Sequence, residues 1–257
     1  MVLETKEWSK ERLFLDYVKK VAEFVKLIRP GLRVLIWDDM LRHTPVDVIL
    51  ESALPPLVEP VVWYYGAAGC PDVWALYSRA FSTIWCASAF KGASGCSETV
   101  PDVNLHVENH KLWLAVISDK SSVVPHWGGF IFTGWSKFDH FAVLCELLPA
   151  GVPSLALCLQ IVHHGVFNEE VHAMASNLVG CETLIPLVQK PRPQLIVERW
   201  DFPASMLHVG SHWQANLLAQ FKVLLNSELY KGWLNSYNVR IAHVNYGTAR
   251  QVAADAE

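Results

Sequence analysis

Apolar and polar positions along this chain follow two rhythms. Over residues 9–29, Leu13, Phe14, Tyr17, Val18, Val21, Phe24, Val25 and Ile28 recur at three- and four-residue steps. That spacing predicts an amphipathic helix, which Pro30-Gly31 stops. Four short apolar runs follow, each reaching a tryptophan: residues 33–37, 58–63, 83–85 and 129–135. Each reads as the end of a buried strand, the third continuing through Ala89 and the fourth opened by Gly128-Gly129. Between them, residues 45–52, 72–81 and 102–117 read as helices, with Asp72 and Asp102 as caps. Residues 142–148 and 153–164 read as two helices broken by Pro149-Ala-Gly-Val-Pro153, and residues 168–178 as another.

Strands alternating with helices predict an α/β fold with a parallel sheet. A β/α barrel builds its site from side chains at the carboxyl ends of its strands. Trp37, Trp63, Trp85 and Trp135 are therefore expected on one rim. Such a rim suits a ligand with flat apolar faces and polar edges, as a pyranose has. Ile36, Val62, Ile84 and Ile131 are expected to face the lumen. From Phe167 the pattern changes. Residues 183–203 hold four prolines and read as a linker, and residues 204–234 have leucine-rich helical spacing. The expected organisation is a barrel-like unit over residues 1–165 and a mainly helical region over 166–257.

With 257 residues, 52% of them hydrophobic, the chain can bury a large core. A net charge of −4 without a basic block argues against nucleic acid as partner. The six cysteines, at positions 70, 86, 96, 145, 158 and 181, form no C-x-x-C pair and read as free thiols in a reducing compartment. No Asn-x-Ser/Thr sequon occurs, and Met1-Val-Leu-Glu-Thr-Lys-Glu7 is not a signal peptide. These point to the cytoplasm, and also to the nucleus. No apolar run reaches the roughly 18 residues of a membrane helix. His163-His164 are adjacent rather than four apart, and no H-x-x-x-H pair comes with a third ligand, so no metal is expected. Nucleotide and cofactor fingerprints are absent, so no cofactor is expected either.

The most specific stretch runs from Gly128-Gly-Phe-Ile-Phe-Thr-Gly-Trp135 through Ser-Lys-Phe-Asp139 to Ser154. It resembles the eighth strand and following helix of glycoside hydrolase family 20, the β-N-acetylhexosaminidases. Trp37-Asp-Asp-Met-Leu-Arg42, Leu57-Val-Glu-Pro-Val-Val-Trp63 and Trp85-Cys-Ala-Ser-Ala-Phe-Lys-Gly-Ala93 match in family order. The resemblance covers residues 8–180. It implies a (β/α)8 TIM barrel, here partial, with about four C-terminal βα units and a C-terminal helical extension. It also implies hydrolysis of terminal N-acetylhexosamines by substrate-assisted catalysis, in which the sugar's own acetamide attacks. The family's catalytic Asp-Glu closes strand four. No Asp-Glu dipeptide precedes Trp37 here, so no catalytic residue is assigned in this chain.

The resemblance makes Trp37, Trp63, Trp85 and Trp135 walls of the sugar and N-acetyl pocket. Asp139 follows Trp135 by four residues and corresponds to a carboxylate that accepts sugar hydroxyls. It is equally suited to cap a helix. Asp38 is read as a hydrogen-bonding or supporting residue and Asp39 as structural, since neighbours on a strand point to opposite faces. Lys91 either touches the rim or lies in solvent, and Glu59 pairs inside the barrel. Phe138 replaces a family tyrosine and Tyr64 a family aspartate. Three readings follow: part of a hexosaminidase, a non-catalytic sugar-binding form, or an interacting piece with a helical tail. The partners implied are an N-acetylhexosamine-containing glycan and, through open barrel edges, a second copy.

Overall fold

The computed structural model describes residues 8–188, 199–233 and 235–241, with residues 250 and 254. Helix α1 (Lys10–Ile28) starts on Ser9, whose hydroxyl accepts from Arg12 N–H at 3.2 Å. Strand β1 (Leu35–Trp37) follows, then a 3-10 turn (Leu41–His43) and α2 (Val46–Glu51). Next come β2 (Glu59–Trp63), α3 (Trp74–Ala80) and β3 (Ile84–Lys91). They lead to α4 (Val103–Asp119) and β4 (Trp127–Gly134). The sheet is parallel in the order β1-β2-β3-β4, so each strand lies beside its predecessor in sequence. The α/β architecture with parallel strands is thus present.

Beyond the sheet lie α5 (Leu148–His164), α6 (Glu169–Leu178), α7 (Ser205–Asn226), α8 (Glu228–Trp233) and α9 (Ser236–Arg240). Part of the expected proline linker, 189–198, lies outside the described residues. None of the described helices is long and apolar enough to cross a membrane. None of the six cysteines forms a disulfide.

Three local expectations are corrected. Asp72 does not cap α3, whose N-cap is Val73 without a side-chain bond. Residues 142–147 are not helical; Lys137 and Leu144 instead form an antiparallel bridge. Helix α5 runs through both Pro149 and Pro153. Pro149 stands in the first turn, where an N–H has no partner to lose. Pro153 sits inside, and burial of Ala156, Leu157, Cys158 and Ile161 outweighs its missing bond.

Two cores form. One gathers Leu15, Ile49, Val62, Tyr77, Ile84 and Trp113, where helices cover one face of the sheet. Ile36 packs against it too. This corrects the expectation that Ile36, Val62 and Ile84 face the lumen. Alternation along a strand then puts Trp37, Val61, Trp63 and Trp85 on the opposite face. The second core joins Val103, Val107, Leu157 and Ile161 with Val171, Ala175 and Val179, on either side of Gly165.

Candidate functional site

The carboxyl ends of the strands are staggered. In register, Trp37 pairs with Val61, Val61 with Trp85, and Trp85 with Gly129. Trp37 ends β1 and Trp63 ends β2, whereas β3 continues six residues past Trp85 to Lys91. The carboxyl edge of the sheet is thus oblique. The rim of β3 is therefore near Lys91, and Trp85 lies low on the same face.

Trp85 accordingly corrects the rim expectation. Its indole N–H donates to Glu59 Oε2 at 2.6 Å, and the Arg33 guanidinium lies 5.0 Å from its ring centre. Arg33 also grips Glu59, with Nη2 donating to Oε2 at 2.6 Å and Nε to Oε1 at 2.9 Å. Those hydrogen bonds help hold the Glu59 carboxyl below its ordinary value against the opposing effect of burial. Gly128 and Gly129 make room for the indole, since a Cβ on either would come within 2.5 Å of it. Glu59 thus pairs as expected, but at the amino end of the sheet.

The other three tryptophans surround a cleft of about 1000 Å³. Trp37, Trp63 and Trp135 line it with Tyr65, Asp39 and Asp139. Trp37 and Trp135 meet with ring centres 5.9 Å apart, and Trp63 packs on Tyr65 at 5.1 Å. Trp135 Nε1–H donates to the Tyr65 hydroxyl at 3.1 Å. Burial raises the Tyr65 phenol, which keeps it protonated and able to donate. Aromatic faces with hydrogen-bonding edges suit a ligand whose ring stacks and whose hydroxyls bond.

The adjacent aspartates differ sharply in burial. Asp38 is fully buried. Its carboxylate takes Arg42 Nη2–H at 2.5 Å, Arg42 Nε–H at 3.1 Å and the Tyr77 hydroxyl at 3.1 Å. Burial pushes its carboxyl upward, and the guanidinium and the phenol oppose that shift. It does not line the cleft. It holds Arg42, which donates to the Trp63 carbonyl at 3.1 Å and sits 4.8 Å from the Trp63 ring centre. Asp39, read as structural, is the one of the pair that is exposed in the cleft.

Asp139 does not cap a helix. It lines the cleft, while its Oδ1 accepts from Phe141 and Ala142 N–H, each at 2.8 Å. That closes a turn rather than a helix. Phe138 and His140 also line the cleft. Lys91 is buried and donates to the Trp135 carbonyl, against the solvent alternative. Tyr64 faces away, its hydroxyl bonding the Ala68 carbonyl. Sequence reasoning missed Tyr65 and the exposure of Asp39. The signal for Tyr65 was its position two residues after Trp63, which returns it to the same face. Among the described residues, no cluster of three or more metal-ligating side chains occurs.

No family model matches the chain. It is 41% identical over 243 residues to human hexosaminidase D, a match covering 92% of this chain and 49% of the relative. Bovine hexosaminidase D is 43% identical over 181 residues, covering 68% and 52%. This chain is hexosaminidase D-like. It spans about half the length of the curated relatives it matches. Both matches are to proteins named hexosaminidase D.

Proposed function

We propose that this hexosaminidase D-like chain supplies the tryptophan-lined half of an N-acetylhexosamine site, in a partial (β/α)8 barrel of glycoside hydrolase family 20. The observation that carries this reading is the cleft itself. Trp37, Trp63 and Trp135 enclose it, and Asp39, Asp139 and Tyr65 offer polar edges. A pyranose stacks its C–H face on an aromatic ring and bonds its hydroxyls to carboxylates, which is the chemistry this cleft offers. Asp38 contributes indirectly, by holding Arg42 against Trp63.

Hydrolysis needs a general acid and a group to hold the acetamide. General acid catalysis alone contributes about 10² to 10⁴-fold. With no Asp-Glu pair before Trp37, this chain binds the sugar and does not cleave it unaided. The sheet edges, unpaired among the described residues, further support self-association. The test is ligand-observed NMR of the chain with N-acetylglucosamine and N-acetylgalactosamine. Saturation transfer to the sugar ring protons, lost on Trp135→Ala, is expected. No transfer from wild-type chain at millimolar sugar overturns the reading.

A further inference from the structure

Lys91 makes an unusual clasp. Its carbonyl accepts from Trp135 N–H at 3.3 Å, and its ammonium donates to the Trp135 carbonyl at 2.5 Å. One residue therefore holds both backbone polar groups of Trp135. The next residue, Gly92, has φ +75°, and a Cβ there would lie 2.1 Å from the Trp135 carbonyl oxygen. Only glycine lets the two chains approach so closely. Gly92 N–H in turn donates to Glu146 Oε2 at 2.9 Å.

Glu146 closes the far end of the same loop. It has φ +30°, and its N–H donates to the Glu98 carbonyl at 3.0 Å. Cys145 N–H donates to the Ser136 carbonyl at 3.0 Å, so residues 136–146 form a loop pinned at its base. Lys91 is 3% exposed and Glu146 1%, yet no direct salt bridge joins them. Burial lowers the Lys91 ammonium and raises the Glu146 carboxyl, each easing the other's charge. Glu146 Oε1 has no hydrogen-bond partner among the described residues. Two ionisable groups buried around one carbonyl and one amide cost stability that a backbone-only turn would not. Their common product is the placement of Trp135.

We infer that Lys91 and Glu146 are positioning residues that set Trp135 relative to Trp37, and with it the width of the sugar slot. This rests on the reading of the cleft as a sugar site. Trp135 touches both Trp37 and Tyr65, so a shift of its backbone moves the indole against both.

The experiment uses the full chain with Lys91→Met, Lys91→Arg and the double variant K91M/E146Q, which leaves no lone buried charge. Amide hydrogen exchange is followed over residues 135–146, and N-acetylhexosamine affinity by titration. Lys91→Met is expected to speed exchange across the loop by roughly tenfold or more while β2 keeps wild-type protection. Sugar affinity is expected to fall by about tenfold, and Lys91→Arg, which restores a donor, to recover most of both losses. If Lys91→Met does not fold, the double variant carries the same expectations. Wild-type exchange over 135–146 in whichever variant folds overturns the inference, whatever the sugar does. An unchanged affinity despite a loosened loop also overturns it, since placement would then not matter. If wild-type chain binds no sugar, the reading of the cleft fails, and exchange still decides whether Lys91 and Glu146 hold Trp135.

Discussion

The indoles of Trp37 and Trp135 lie with their ring centres 5.9 Å apart and their planes inclined at 49°. Trp37 ends β1 and Trp135 directly follows β4, the two outermost strands of the described sheet. Adjacent strands are about 4.8 Å apart, so flat geometry would separate the edges by roughly 14 Å. The contact therefore reports a sheet curled enough for long side chains from both edges to meet over its carboxyl end. The cleft exists because of that curl.

Replacing Trp135 by Ala is expected to weaken N-acetylhexosamine binding by about tenfold or more, because it removes one stacking wall and the donor to Tyr65. Trp85→Phe is expected to leave binding unchanged and lower stability by about 1–2 kcal/mol, through the lost bond to Glu59. Titration calorimetry and urea melts of the two variants check the pair. Equal effects on binding would return Trp85 to the rim.

Loss of one partner from the Asp38–Arg42 pair is expected to be severe. Asp38 is fully buried, and Arg42 mostly so. Arg42→Met strands the Asp38 charge and is expected to cost about 3 kcal/mol or more, beyond any effect on Trp63. Asp39→Asn, at the exposed neighbour, is expected to change stability by less than about 0.5 kcal/mol and to act on sugar affinity alone. Chemical denaturation of both variants decides.

Acid is expected to destabilise the fold in a window below pH 6.5. Burial lowers His106 to about 3 and His110 to about 4 from an ordinary 6.5. His110 Nδ1–H donates to the His106 carbonyl at 2.7 Å, so Nε2 accepts the Ser88 hydroxyl and the neutral ring is satisfied. The unfolded chain takes up protons on these rings first. Stability is therefore full above pH 6.5 and falls as pH drops toward 4, on the order of 1 kcal/mol per unit per histidine. Melting temperatures at pH 7.5, 6 and 5 should decline, and His110→Gln should flatten the slope. A pH-independent melt would contradict it.

The purified chain is expected to associate. Tyr17, Val21, Phe24 and Ile28 form an exposed stripe on α1, 44–67% accessible, and β1 has a strand partner on one side only among the described residues. Uncovered apolar stripes and strand edges of this kind recruit another chain. Light scattering after size exclusion should give a mass above 28.9 kDa, and Val21→Glu with Phe24→Lys should reduce it. A wild-type monomer would show that the stripe is tolerated in water.

The same chain is expected to release no p-nitrophenol from N-acetylglucosaminide or N-acetylgalactosaminide above a buffer control. Turnover that survives purification would direct the search for a general acid to Asp39 and Asp139, the carboxylates in the cleft.

The sequence by itself determined the alternation of helix and strand, because buried strands and amphipathic helices need periods of 2 and 3.6. Pro30-Gly31 and Asp102 marked boundaries through local backbone chemistry. Period-2 parity sets Trp37, Trp63 and Trp85 opposite Ile36, Val62 and Ile84, but packing under the helices decided which set faces away from the cleft. What parity cannot carry is height. The level of each tryptophan depends on where its strand stops and how neighbours are staggered, and β3 runs to Lys91 only because β4 pairs with it that far. The same limit hid the placement of Asp39 in the cleft. Which of two adjacent carboxylates is buried was decided by Arg42 and by Tyr77, the latter 39 residues away in sequence. Nor could spacing reveal that Lys91 folds back onto Trp135, since that contact depends on how far β3 and β4 pair and in which register.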